Sequence, residues 1–409
     1  MAIALEYPAD VAAAVEGVEK FLRKEVWPLH EKHADILHDD TRKYGRNGLM
    51  TDDVLDLVRR VRMASADAGY FAMCIPEEMG GGGMGFLAYF AAWERIFHLS
   101  GSKYWLAHYV ISHWVRGPSP VLLGLSDELR RTVLPKLMSG EMTTCFGLSE
   151  PGAGSDAAGI KTAATPDGDG WRLNGSKIWT SNSPHADYAM VFAVTDPEKG
   201  RAGAGISAFL VPTSSEGFRV ERVIKMWGSI GGDEAVLHFD DVRIEPHQLV
   251  GTLNAGFATA LLGTSLGRLY NCARAVGLSR WSLEMAFDYA KTRQAFGKPI
   301  SDYQGVTFPL AESAMQVQAA HLMSLNVAQL LDRGLPARRD LAMAKAFATE
   351  VGVRAVDRAI QTHGAMGMTN ELYLTDAYVI LRKINIADGT NEILRRAIVK
   401  EMLQGDIAL

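Results

Sequence analysis

The hydrophobic period changes twice along this chain, which restricts it to an architecture with β structure inserted between two helical stretches. From about Val11 to Gly140 apolar residues recur at steps of three and four: Val11, Val15, Val18 and Leu22, then Val54, Leu57, Val58 and Val61. That spacing lines one face of a helix, and the run Gly80–Gly83 interrupts it as a loop. Between about Glu141 and Gly251 the step drops to two, in Tyr188, Met190, Phe192 and Val194 and in Ala235, Leu237 and Phe239. Asn174-Gly175, between apolar stretches, predicts a hairpin turn. From about Asn254 the helical step returns. Leu310, Ala314, Val317, His321, Leu325 and Ala328 form one stripe, Met343, Phe347, Val351 and Ala355 another, with Gly334 and Pro336 between them. The expected class is α+β, mainly α, with a helical domain over 1–140, a β domain over 141–250 and a helical bundle over 251–409.

Composition narrows the partners. A net charge of −5, from 42 basic and 47 acidic residues with no Lys/Arg block, argues against a nucleic-acid surface. No apolar run approaches the roughly 20 residues of a membrane span. Cys74, Cys145 and Cys272 are isolated, so neither a disulfide framework nor a zinc site is expected. Met1–Asp10 lacks the basic start of a secretory signal, and a cytoplasmic location is the expectation.

Two segments carry the chemistry of a docking surface for a large planar cofactor: Ser149-Glu150-Pro151-Gly152-Ala153-Gly154-Ser155-Asp156 and Lys177-Ile178-Trp179-Thr180-Ser181-Asn182. The glycines let backbone N–H groups approach a ligand, the serines offer hydroxyls, and Trp179 adds a flat wall. Gly152-x-Gly154-x-x-Ala157 formally matches a dinucleotide fingerprint. That reading needs a long helix next and an acidic residue about 20 positions on, and Thr162–Gly170 instead reads as a Thr/Pro/Gly/Asp loop.

Together with Arg293-Gln294-Ala295-Phe296-Gly297-Lys298 and Asp388-Gly389-Thr390, these motifs resemble the acyl-CoA dehydrogenase family across essentially the whole chain. The resemblance implies an N-terminal helical domain, a middle β-barrel-like domain and a C-terminal four-helix bundle, with FAD held by the β domain and the C-terminal helices. It assigns Phe146, Leu148, Ser149, Trp179 and Ser181 to one flavin face. Arg293, Gln361, Gly364, Thr390 and Glu392 would reach the FAD of a neighbouring subunit, which implies a homotetramer built as a dimer of dimers, and Phe296 is assigned to the cofactor as well. Arginine suits a pyrophosphate through its planar fork of donors, and the sequence alone reads Arg293 and Phe296 as adjacent turns of a helix end. Ser155, Arg268 and Gly389 are assigned to the acyl-CoA substrate, and an electron-transfer flavoprotein to the accepting side.

The base position departs from the family. Most relatives carry glutamate immediately before Gly-Thr, where this chain has Asp388; a second branch puts glutamate next to the arginine matching Arg268, where this chain has Gly267. Asp388 is therefore the carboxylate at a known base position, with an arm shorter by one carbon–carbon bond, ~1.5 Å. Aspartate before a helix is also an ordinary N-cap, here for the run through Ile393, Leu394, Ala397 and Ile398. Val379 and Ile380 stand where many relatives have an Arg-Asp pair, and Lys103, Tyr104 and Trp105 fall where the acyl pocket is usually lined. The histidines, His321 and His363 included, lack metal spacing and read as core or surface; Met366 and Met368 read as packing.

The resemblance leaves a second reaction class open, an oxidase or monooxygenase on the same scaffold, since nitroalkane oxidases resemble this family and use an aspartate base. A third reading, a DNA-associated flavoprotein of alkylation response, would need the basic surface that this chain lacks.

Overall fold

The computed structural model describes residues 7–199 and 203–405; part of the N-terminal segment read for signal character lies outside them. In chain order the principal elements are helices α1 (Ala9–Phe21), α2 (Asp52–Asp67) and α3 (Gly85–Ser100), strands β1 (Thr144–Gly147), β2 (Ala163–Asp167), β3 (Gly170–Ser181), β4 (Tyr188–Val194), β5 (Ile206–Pro212), β6 (Phe218–Val223), β7 (Glu234–Ile244) and β8 (Leu249–Val250), then helices α4 (Gly256–Thr292), α5 (Gln304–Asp332), α6 (Arg338–His363), α7 (Leu374–Ile384) and α8 (Asn391–Leu403). Contacts group the chain into two compact units, one of residues 29–83 and 109–264, the other of 1–28, 84–108 and 265–409.

The first unit is built on one eight-stranded sheet in the order β6-β7-β3-β2-β4-β5-β8, with β1 pairing parallel to β4. β4 is buried from Ala189 to Ala193 on both faces, so its alternating pattern does not mark a half-solvated strand. Cys145, Leu173, Val191, Phe209, Leu237 and Phe239 share one core cluster. In α2 the buried residues are Val54, Leu57, Val58, Val61 and Ser65, the stripe the sequence predicts, and the Ser65 hydroxyl donates to the carbonyl of Val110 at 2.5 Å.

Two local expectations do not hold in the sheet. Asn174-Gly175 does not turn the chain: β3 runs straight through it with a shift of register against β7. Gly175 sits at φ 143°, where a Cβ would lie 2.6 Å from the Thr162 hydroxyl, and Asn174 accepts the N–H of Asp241. The dipeptide therefore marks a bulge and a close approach, and the two-residue turn is Gly168-Asp169, where Asp167 pairs with Gly170. Consequently Thr162–Gly170 is not all loop, since Ala163–Asp167 forms β2.

The second unit packs α1 and α3 with the helices from residue 265 onward. α5 and α6 are antiparallel neighbours joined across Gly334 (φ 63°) and Pro336. The first turn of α3 is capped from the far end of α5: Asp332 accepts the N–H groups of Phe86 and Leu87 at 2.6 and 2.9 Å. Glu94, buried in α3, pairs with Arg280 of α4 and His321 of α5. His321 is thus a core partner, as its sequence context suggests, and its ring Nδ1 lies 2.8 Å from Glu94.

Candidate active site

The loop between α7 and α8 carries Asp388, and α4 receives it. Asp388 adopts φ 55° and Gly389 φ 95°, so the chain turns through left-handed geometry at both. Gly267 of α4 lies against the Asp388 carboxylate; a Cβ on Gly267 would come within 2.4 Å of Oδ2. One turn further along α4, Asn271 donates its amide to Oδ2 at 2.8 Å. Arg268, between them, donates Nε to the Asp388 carbonyl at 2.9 Å. From α6, Lys345 donates to the Gly389 carbonyl at 3.0 Å and to the Asn391 side chain at 3.1 Å. Oδ1 and the backbone N–H of Asp388 have no hydrogen-bond partner among the described residues.

Burial pushes the Asp388 carboxyl up to about 6, against the opposing pull of Lys345, Arg268, the Asn271 hydrogen bond and Arg274. Lys345 is itself fully buried, and desolvation brings its ammonium down to about 8. Desolvation likewise lowers Arg268. Asp388 does not cap α8: that position belongs to Thr390, whose hydroxyl accepts the N–H of Ile393 at 3.3 Å. The cap lies two residues further on because the left-handed pair Asp388-Gly389 is still turning the chain. Glu392, exposed in the first turn of α8, is held below the usual carboxylate range by backbone N–H and Thr390 contacts.

In the sheet unit, β1 and β3 hold the first two motifs together. The Ser149 carbonyl accepts the N–H of Ile178 at 2.9 Å. Lys177, with no exposed surface, donates to the Leu148 carbonyl at 3.1 Å and to Glu150 at 2.8 Å. Glu150 also accepts the N–H groups of Lys161 and Thr162, so one carboxylate closes the glycine loop at both ends. Phe146 stands between Trp114 and Phe192 at ring separations of 4.9 and 4.8 Å. Ser181, facing Glu234 across the sheet, is half-buried, and Leu148 is buried. Trp179 leaves the strand geometry at φ 60° and is 56% exposed.

The residues of this unit fit a planar cofactor. Trp179 offers a solvent-facing aromatic face, which a folded chain ordinarily covers. Gly152 and Gly154 would meet nothing within 4 Å if they bore a Cβ, so no packing among the described residues calls for glycine there. Bare backbone at both positions suits a ligand that approaches closely. Ser155 is exposed on the same loop. The one-turn helix Ala157–Gly159 is too short for the dinucleotide fingerprint.

Arg293 and Phe296 are not successive turns of a helix. α4 ends at Thr292, and Gln294–Ala295 pairs with Lys298–Pro299 in a hairpin whose tip is Phe296-Gly297, at φ 51° and 84°. Two successive left-handed residues are what a tight hairpin turn requires. Phe296 is 97% exposed at that tip, and Arg293, Gln361 and Gly364 are exposed as well. Tyr104 stacks on Trp27 at 5.2 Å and receives a hydrogen bond from Lys103 at 3.1 Å, which accounts for both as packing. His363 is buried, its ring Nδ1 2.8 Å from the Ala359 carbonyl. Asn271 and Lys345 escape the sequence reading; the available signal was a polar residue on the buried stripe of each helix.

Three family models match in order: Acyl-CoA dehydrogenase, N-terminal domain over residues 9–141, middle domain over 145–242 and C-terminal domain over 254–403. The mitochondrial short-chain specific acyl-CoA dehydrogenase of Homo sapiens is 36% identical, over 82% of this chain and 80% of its own length. Subunit CarC of the caffeyl-CoA reductase-Etf complex of Acetobacterium woodii is 32% identical over 87% of this chain and 94% of its own. The acyl-CoA dehydrogenase structure from Geobacillus kaustophilus superposes with a TM-score of 0.83 at 26% identity, covering 98% of this chain and 99% of the other.

Proposed function

The chain belongs to the acyl-CoA dehydrogenase family of FAD-dependent oxidoreductases, and on that premise we propose that it oxidises an acyl-CoA thioester to the 2-enoyl-CoA with Asp388 as base. The observation that carries the reading is the carboxylate of Asp388, seated on Gly267 with Oδ1 undonated and its pKa raised to about 6. A base must be ionised at working pH yet eager for a proton, and a carboxyl raised toward neutrality meets both demands. Oδ1 takes the α-proton of the thioester, and the C–H electron pair stays on the substrate to form the new double bond. The unpaired N–H of Asp388 donates to the thioester carbonyl, where negative charge develops.

FAD, when bound, supplies the acceptor for the β-hydride. Phe146, Leu148, Ser149, Trp179 and Ser181 would hold it, with Ser155, Arg268 and Gly389 serving the substrate. Arg293, Phe296, Gln361, Gly364, Thr390 and Glu392 would hold the FAD of a second copy; the exposure of the Phe296 ring supports that, because an apolar tip gains by being covered. The assembly is then a homotetramer, a dimer of dimers. An electron-transfer flavoprotein takes the electrons, in keeping with the Etf complex named for the Acetobacterium relative. The three free thiols fit a cytoplasmic setting.

The aspartate in place of glutamate favours one rival, an oxidase on the same scaffold. Anaerobic titration of the holoprotein with butyryl-CoA, octanoyl-CoA and 3-phenylpropanoyl-CoA separates the two. The dehydrogenase reading expects at least one thioester to bleach the flavin without oxygen. Turnover of a nitroalkane with O2, and no bleaching by any thioester, would replace it with the oxidase.

A further inference from the structure

Asn271 is out of character in its surroundings. It is 2% exposed on α4, beside Leu269, Cys272, Ala273, Ala275 and Val276, all buried. A buried amide needs a partner, and this one donates to the reactive carboxylate rather than to backbone: Nδ2 lies 2.8 Å from Oδ2 of Asp388. Gly267 precedes Asn271 by one helical turn, so the two share a face of α4. One removes its side chain to admit the carboxylate, and the other fixes how the carboxylate is turned.

The distribution of donors around the loop is selective. Neither nearby cation that makes hydrogen bonds there donates to the carboxylate: Arg268 donates to the Asp388 carbonyl, and Lys345 to the Gly389 carbonyl and the Asn391 side chain. Among the described residues, the carboxylate oxygens receive only the neutral amide. A cation bonded directly to Oδ2 would hold the proton affinity low and blunt the base, whereas an amide orients it with a smaller effect. An aspartate arm is also too short to search for its substrate, so its orientation matters more than that of a longer side chain.

We propose that Asn271 is a positioning residue for the base, holding Oδ2 of Asp388 over Gly267 so that Oδ1 alone is left to receive the substrate proton. The proposal rests on the reading of Asp388 as the base. The charged groups bearing on that carboxylate are Arg268 and Arg274 from α4 and Lys345 from α6, with Glu392 of α8 acting on Lys345.

The test uses the FAD-loaded protein with Asn271→Leu, which keeps the shape and deletes the donor, and Asn271→Ala, which carries the test if the leucine variant does not retain FAD. Anaerobic stopped-flow reduction of the flavin is followed against pH, with whichever of butyryl-CoA, octanoyl-CoA or 3-phenylpropanoyl-CoA bleaches the parent. The expected result is a rate lower by about 10- to 100-fold and an acid limb moved upward by about one pH unit, since the lost N–H favoured the ionised form. Unchanged rate and unchanged limb, in variants that keep FAD, would make Asn271 mere packing. Asp388→Asn, run alongside, tests the underlying reading separately: if it reduces normally, the base assignment fails whatever Asn271 does.

Discussion

The carboxylate of Asp388 lies where a side chain on Gly267 would stand: a Cβ at 267 would lie 2.4, 2.6 and 2.9 Å from Oδ2, Cγ and Oδ1. The two base positions that the family resemblance implies meet in space here: one carries the carboxylate of Asp388, and the other, Gly267, has no side chain to exclude it. Gly267→Ala should therefore act on chemistry rather than folding. Alanine is better in a helix interior by about 1 kcal/mol, so stability should hold, while displacement of the carboxylate should slow flavin reduction by about 100-fold. Melting temperature and anaerobic reduction rate, measured together, check this; an unimpaired rate would mean that the carboxylate is not confined there.

The pH dependence of stability follows from the same group. The folded pKa of Asp388 is raised from 3.8 to about 6, so folding favours the protonated form. Its stabilising contribution is present below the unfolded value and is lost as pH rises through about 6. Asp388→Asn, which cannot ionise, should melt above the parent at neutral pH, with the advantage shrinking toward pH 4. Differential melting curves across that range would refute the sign if the advantage grew on acidification.

The Lys177–Glu150 pair should be costly to break from one side. Lys177 has no exposed surface and Glu150 anchors two backbone N–H groups of the glycine loop. Lys177→Met leaves a nearly buried carboxylate without its cation, a loss of about 3 kcal/mol, and should loosen FAD. The double variant with Glu150→Gln should recover part of the stability. Chemical denaturation of the apoprotein, with FAD retention on gel filtration, provides both readouts.

Trp179 is an exposed ring held at φ 60°. If it stacks on the cofactor, Trp179→Ala should weaken FAD binding by about 3- to 10-fold and leave the melting temperature of the apoprotein nearly unchanged. Fluorescence titration of apoprotein with FAD reads the first quantity and calorimetry the second.

The ground plan was legible because periodicity is local: the stripe Val54, Leu57, Val58 and Val61 is the buried face of α2, and Leu310, Val317, Leu325 and Ala328 are buried on α5. The errors arose where a local pattern had two structural uses. Asn174-Gly175 suits a hairpin or a bulge, and only the neighbouring Thr162 and Asp241 choose. Phe296 reads as a helix residue until Gly297 and Pro299 turn the chain. Asp388 and Thr390 are both plausible caps, and the left-handed turn at Asp388-Gly389 decides for Thr390. The seating of Asp388 on Gly267, Asn271 and Lys345 joins residues far apart in sequence, and no periodicity encodes such a meeting.

The most direct measurement is anaerobic flavin reduction by the FAD-loaded Asp388→Asn variant, with the thioester that best bleaches the parent and with FAD content and thioester binding measured in parallel. The account predicts that binding persists while reduction falls by about 1,000-fold or more. Reduction at the parental rate would contradict it.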